Sequence, residues 1–171
     1  MIRCVAFDCF GTVFDMSGIR REEIADYVAH VKRDDFSQYD FPKAWWWLEP
    51  HPDAESGIKM LQNAGFVCVA LSNGSVPLVR HSSARFGVRW DVIIDLAAHK
   101  IYKPRVGAYR TVEMATGIPP AETLMVTANP GFGDIEGAAA IGMPSQVIRH
   151  GRPETIVELA EMLILAKEDG K

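Results

Sequence analysis

The chain has 171 residues, 48% of them hydrophobic and 23% charged, a mix of the globular class and not of the disordered one. Its formal charge of -4 gives no electrostatic reason to bind nucleic acid or an anionic membrane. The length suits one α/β domain with a small insertion.

The first apolar run of strand length covers residues 2–7 and is cut off by Asp8. It is too short for a secretory signal, and no run approaches the roughly 18 apolar residues of a membrane span. Residues 15–48 then break the pattern: a charged helix over 19–31, the polar stretch 34–40, and Trp45-Trp46-Trp47. This segment reads as a small helical cap inserted after the first strand, leaving 1–14 and 49–171 as the core. The tryptophans read as packing at the cap's hinge, since buried aromatics mostly pack.

Residues 52–64 carry Ile58, Met60 and Leu61 at helical spacing before Gly65, a stop signal. Strand-like runs follow at 66–71 and 92–96. Lys103-Pro104 opens a helix through Thr116, closed by Gly117. Two further runs cover 123–127 and 146–148, and residues 153–167 place Ile156, Val157, Leu159, Met162, Leu163 and Leu165 on one stripe. Alternation of this kind predicts a Rossmann-like α/β fold, a mostly parallel sheet flanked by helices, with its chemistry at the carboxyl ends of the strands.

Those ends carry Asp8-Cys9-Phe10-Gly11-Thr12 after the first strand and Ser72-Asn73-Gly74 after the second. Lys103-Pro104 follows the third, and Thr127-Ala128-Asn129-Pro130-Gly131-Phe132-Gly133-Asp134 the fourth. Singly each is weak, because an Asp after a strand often caps a turn and a Lys is usually solvated. In this order they resemble, over nearly the whole chain, the four motifs of the haloacid dehalogenase superfamily. Phosphatases of that superfamily carry a second Asp two residues after the nucleophile, where this chain has Phe10. Its L-2-haloacid dehalogenases carry an aromatic residue there, and their wider pattern recurs in Trp46 to Pro50, Leu71 to Gly74, and Tyr102-Lys103 with Tyr109.

The resemblance implies a hydrolase in which Asp8 attacks a carbon electrophile and forms an ester, splitting one displacement into two steps. Lys103 would keep Asp8 ionised. Thr12, Ser72 and Asn73 would donate to the substrate carboxylate or the nucleophile, with Phe10, Tyr109 and Thr127 also at the substrate. Asn129 and Asp134 would position the hydrolytic water. A halide needs no protonation and a haloacid little charge screening, so no cofactor is required. If Mg²⁺ binds, Asp8 and Asp134 would hold it, weakly, because neutral Asn129 stands where phosphatases have an acid.

Departures from the family keep alternatives open. Asp134 lies five residues beyond Asn129 instead of three. The cap is short, and no motif says whether Arg20, Arg21 or Arg33 serves the halide. An open site implies a large substrate or a homodimer in which a second subunit closes it. A Mg²⁺-dependent phosphohydrolase with a degraded acid, or a binding protein without turnover, are the other readings. The five histidines show no metal spacing and read as surface or capping residues, and Asp15 reads as structural. Cys4, Cys9 and Cys68 form no CxxC pair, which suits reduced thiols in the cytoplasm, and Cys9 reads as filler. Gly74, Gly131 and Gly133 read as turn residues with positive φ.

Overall fold

The structure, a computed structural model, describes residues 1–151 and 155–170. Strand β1 (Cys4–Phe7) is buried on both faces and sits at the centre of a parallel five-stranded sheet. It pairs with β2 (Val67–Ala70) on one side and β4 (Thr123–Thr127) on the other. Outside these lie β3 (Val92–Ile93) and β5 (Ser145–Val147), giving the order β3-β2-β1-β4-β5. The chain therefore steps one way from β1 and the other way from β4. The crevice at that reversal opens beyond the carboxyl end of β1, and Asp8 is the next residue.

Alternation along the strands feeds two apolar layers. Val5 and Phe7 pack with α2 (Ala54–Asn63), α3 (Val76–Arg85) and α6 (Ile156–Asp169) through Ile58, Leu61, Leu78, Ile156 and Leu159. Cys4 and Ala6 pack with α4 (Val106–Thr116) and α5 (Asp134–Ala139) through Ala108, Tyr109, Val112 and Ala138. Between α2 and α6 the approach is close: a Cβ on Gly57 would lie 2.6 Å from Ile156 Cγ2 and 2.8 Å from its carbonyl carbon. The Asp53 carboxylate accepts from the Ile156 and Val157 amides at 2.7 and 3.2 Å, and Thr155 with Glu158 completes a capping box at the same helix end.

Several expectations need adjusting. The third strand is two residues long, not five. Helix α4 begins at Val106, so Lys103 and Pro104 stand in the turn before it, joined by a cis peptide bond. The helix expected over 153–167 starts in residues outside the described ones; its described part is α6. Of the three turn glycines, only Gly133 has positive φ, joined by Gly11. Gly74 serves another purpose, since a Cβ there would sit 2.1 Å from the Phe10 ring.

Segment 15–48 carries α1 (Arg21–Lys32) and a 3-10 helix (Lys43–Trp47). Ile19, Tyr27, Phe41, Trp45 and Leu48 join the same apolar cluster as Val5 and Phe7, so this segment shares its core with the sheet. The tryptophans divide: Trp45 is 2% exposed and Trp47 58% exposed, over which the Arg85 guanidinium stacks at 4.6 Å. His30 is buried, contrary to the expectation for the histidines, and lies against Tyr27 and Tyr39. Two polar ties cross to the core: Arg105 pairs with Asp34, and Tyr102 donates to the Asp35 carbonyl at 3.0 Å.

Candidate active site

Asp8 continues the sheet ladder, its amide donating to the Val126 carbonyl at 2.9 Å, and its side chain is 14% exposed. Three donors meet the carboxylate. The Lys103 ammonium donates to Oδ1 at 2.8 Å, and on Oδ2 the Thr12 hydroxyl donates at 2.9 Å and the Asn129 amide at 3.2 Å. Gly11, at φ +84°, lets the loop fold back: a Cβ there would lie 2.7 Å from Asn129 Nδ2. The Ala128 amide donates to Thr12 Oγ1 at 2.9 Å and fixes that hydroxyl's hydrogen on Asp8.

Lys103 is almost wholly enclosed. Burial pulls its pKa down, yet the carboxylates of Asp8 and Asp134 outweigh this and hold it above the ordinary lysine value. Asp134 lies 3.2 Å from Nζ through Oδ1, which also accepts from the Tyr109 hydroxyl at 2.9 Å. The Pro130–Phe132 turn absorbs the two extra residues, and Gly133 at φ +84° sits against Pro104. Five-residue spacing from Asn129 thus still delivers Asp134 to the lysine.

Other expected residues lie nearby in different contacts. Asn73 clamps the Lys103 main chain: its Oδ1 accepts from the Lys103 amide at 2.8 Å and its Nδ2 donates to the Lys103 carbonyl at 3.0 Å. Ser72 is buried and accepts from the Gly74 amide. Tyr109 and Thr127, expected at the substrate, are fully buried; they serve Asp134 and the Asn129 amide respectively. Phe10 is half-buried and edge-on to Trp45 at 5.6 Å. Burial first, then the charge of Asp8, pushes the Cys9 thiol far up, so it is no thiolate. Asp15 accepts from the Ser17 amide and hydroxyl. Arg20 pairs with Glu23, and Arg21 and Arg33 are exposed. The residue missed from sequence is Tyr27, whose hydroxyl donates to the Asn73 carbonyl across 46 positions.

The donor set does not fit a magnesium ion. Asp8 and Asp134 already share one ammonium between them. Beside Asp8 Oδ2 and the Phe10 carbonyl, both acceptors, stands the Asn129 amide nitrogen, 3.2 and 3.0 Å away, which is a donor and not a ligand. Among the described residues no cluster of three or more His, Cys, Asp or Glu side chains could hold a metal.

The chain is 32% identical over 136 residues to an (S)-2-haloacid dehalogenase of Xanthobacter autotrophicus, a match taking in 77% of this chain and 52% of that protein. It is 29% identical over 132 residues to (S)-2-haloacid dehalogenase H-109 of Pseudomonas putida, covering 73% and 57%. The chain belongs to the haloacid dehalogenase superfamily. This member of the superfamily spans about half the length of the curated relatives it matches. Its fold matches that of a solved Xanthobacter autotrophicus L-2-haloacid dehalogenase with a TM-score of 0.70 and 26% identity, covering 96% and 83% of the two chains. A defluorinating L-2-haloacid dehalogenase shares the fold at a TM-score of 0.73 and 24% identity, with 95% of each chain covered. No family model matches the chain.

Proposed function

We propose that this protein is a metal-independent hydrolase of short 2-haloacids, with Asp8 as its nucleophile. The observation that carries this reading is the set of donors on Asp8: an ammonium on one oxygen, a hydroxyl and an amide on the other, and Phe10 where a leaving-group acid would stand. A carboxylate so held is an oriented nucleophile, and the site is suited to a leaving group that needs no proton.

In the first step an Asp8 oxygen bonds to the substrate's α-carbon while the carbon–halogen bond breaks and the halide leaves with the electron pair. The other Asp8 oxygen becomes the ester carbonyl. Whichever it is, donors remain on it, the Lys103 ammonium or the Thr12 and Asn129 pair, and stabilise the oxyanion that forms when water adds. Asn129, which donates to Asp8, and Asp134, which shares the Lys103 ammonium with it, are the groups proposed to orient that water. Cleavage of the acyl–oxygen bond releases the 2-hydroxy acid, regenerates Asp8 and liberates a proton. Chloropropionic acid is covalently bound in one solved Xanthobacter autotrophicus dehalogenase of this fold, which supports the covalent route. Three buried free cysteines suit a reducing, cytoplasmic setting. Among the described residues no helix is long and apolar enough to cross a membrane.

The test is halide release from 2-chloropropionate. Release that continues in EDTA and is lost in Asp8→Asn is expected. Release that requires Mg²⁺, or turnover of p-nitrophenyl phosphate in its place, contradicts the proposal.

A further inference from the structure

Tyr27, in the segment 15–48, reaches the loop that follows β2 by a direct hydrogen bond to the Asn73 main chain. Its ring is wedged between His30, Tyr39, Phe41 and Trp45, with centroids 6.1, 4.9, 4.9 and 5.5 Å away. That packing leaves the hydroxyl one place to go. A buried phenol needs a partner, and this one donates to the main-chain carbonyl of Asn73. Asn73 has no slack to pass on, because both ends of its amide grip the Lys103 main chain. Lys103 in turn extends its ammonium to Asp8.

We propose that Tyr27 is a positioning residue: by holding the Asn73 carbonyl, its phenol keeps the Asn73–Lys103 clamp, and through it the ammonium, registered on Asp8. The cap thus sets the geometry of the nucleophile without touching it, and the exposed cap arginines are not needed for that task. Burial, then the neighbouring Tyr102, Tyr39 and Asp8, hold the Tyr27 hydroxyl well above its ordinary pKa, so it stays a donor at working pH. The ammonium faces Asp8 on the β1 side and Asp134 at the start of α5, with Tyr109 of α4 behind Asp134.

The activity arm of this inference rests on the dehalogenase reading. Tyr27→Phe removes one oxygen and keeps the ring in its aromatic cluster. It is expected to lower kcat about tenfold with KM nearly unchanged. An ammonium slipping from Asp8 loses one of the two interactions that raise its pKa, so the basic limb of the pH–rate profile moves to lower pH. Hydrogen exchange at the Lys103 amide, which is bonded to Asn73 Oδ1, should speed up. Tyr39→Phe is the control: it deletes a hydroxyl from the same cluster, one bonded to Asp26 at 2.8 Å, and should move none of these readouts. A basic limb and a Lys103 exchange rate in Tyr27→Phe equal to those of Tyr39→Phe overturn the inference. Faster Lys103 exchange in a protein that releases no halide upholds the link and refutes the dehalogenase reading.

Discussion

Lys103 answers two opposing demands. Enclosure in the sheet crevice favours a neutral amine, and two carboxylates within 3.3 Å favour the ammonium. The carboxylates prevail, so the pKa lies above its ordinary value. The charge is present below that pKa and is lost as pH rises through it. Asp134→Asn removes one carboxylate and leaves burial in force, so the pKa falls and the basic limb of halide release moves to lower pH. The same change takes away a group proposed to orient water, and ester hydrolysis should slow by about a hundredfold or more. A pH profile of burst and steady-state halide release separates the two effects. An unmoved basic limb would mean that Asp134 does not bear on the lysine.

At this scale much of the site was legible in the sequence. Asp8, Thr12, Lys103, Asn129 and Asp134 were singled out from motif order and do come together. The partners of Asn73, Tyr109 and Thr127 were not legible. A strand-end position says that a polar side chain enters the crevice, but not whether it turns toward solvent or toward a neighbouring main chain. Tyr27 gave no signal at all, because its partner lies 46 residues away and nothing local distinguishes its helix face.

Among elements, α2 packs closely against α6. A Cβ on Gly57 would press on the Ile156 backbone, which cannot yield as a flexible side-chain end would. Gly57→Ala should therefore cost about 1–3 kcal/mol in urea denaturation, despite alanine's better helix propensity. Gly18→Ala, with open space around the new Cβ, should be close to neutral. Equal stability of the two variants would show that the helices part at little cost. Helices α3 and α5 escaped the sequence reading for a physical reason. In α3 the inward residues include Ser82 and Ser83, so no apolar stripe marks the buried face. Helix α5 is six residues of Asp-Ile-Glu-Gly-Ala-Ala, too short to show a period, with Gly137 packed under Tyr109. Strand β3 read longer than it is because the apolar residues Ile94 and Leu96 go on into the core after the ladder ends.

For the whole molecule, alternating strand and helix patterns gave the parallel sheet, because both faces of such a sheet must be apolar. How segment 15–48 sits on it was not legible. Its seat is aromatic, through Tyr27, Phe41 and Trp45, and is secured by Arg105 with Asp34 and Tyr102 with Asp35. Each of these pairs residues far apart in the chain. The outcome is one carboxylate at the end of β1 held by three donors.

The claim on which the rest depends is that Asp8 itself bonds to substrate. A single turnover of 2-chloropropionate in H₂¹⁸O, with enzyme in excess over substrate, tests it most directly. Attack by Asp8 puts ¹⁸O in the peptide containing Asp8 and leaves an unlabelled hydroxyl in the product. Label in the product with none at Asp8 would show that water attacks the α-carbon directly and would contradict it.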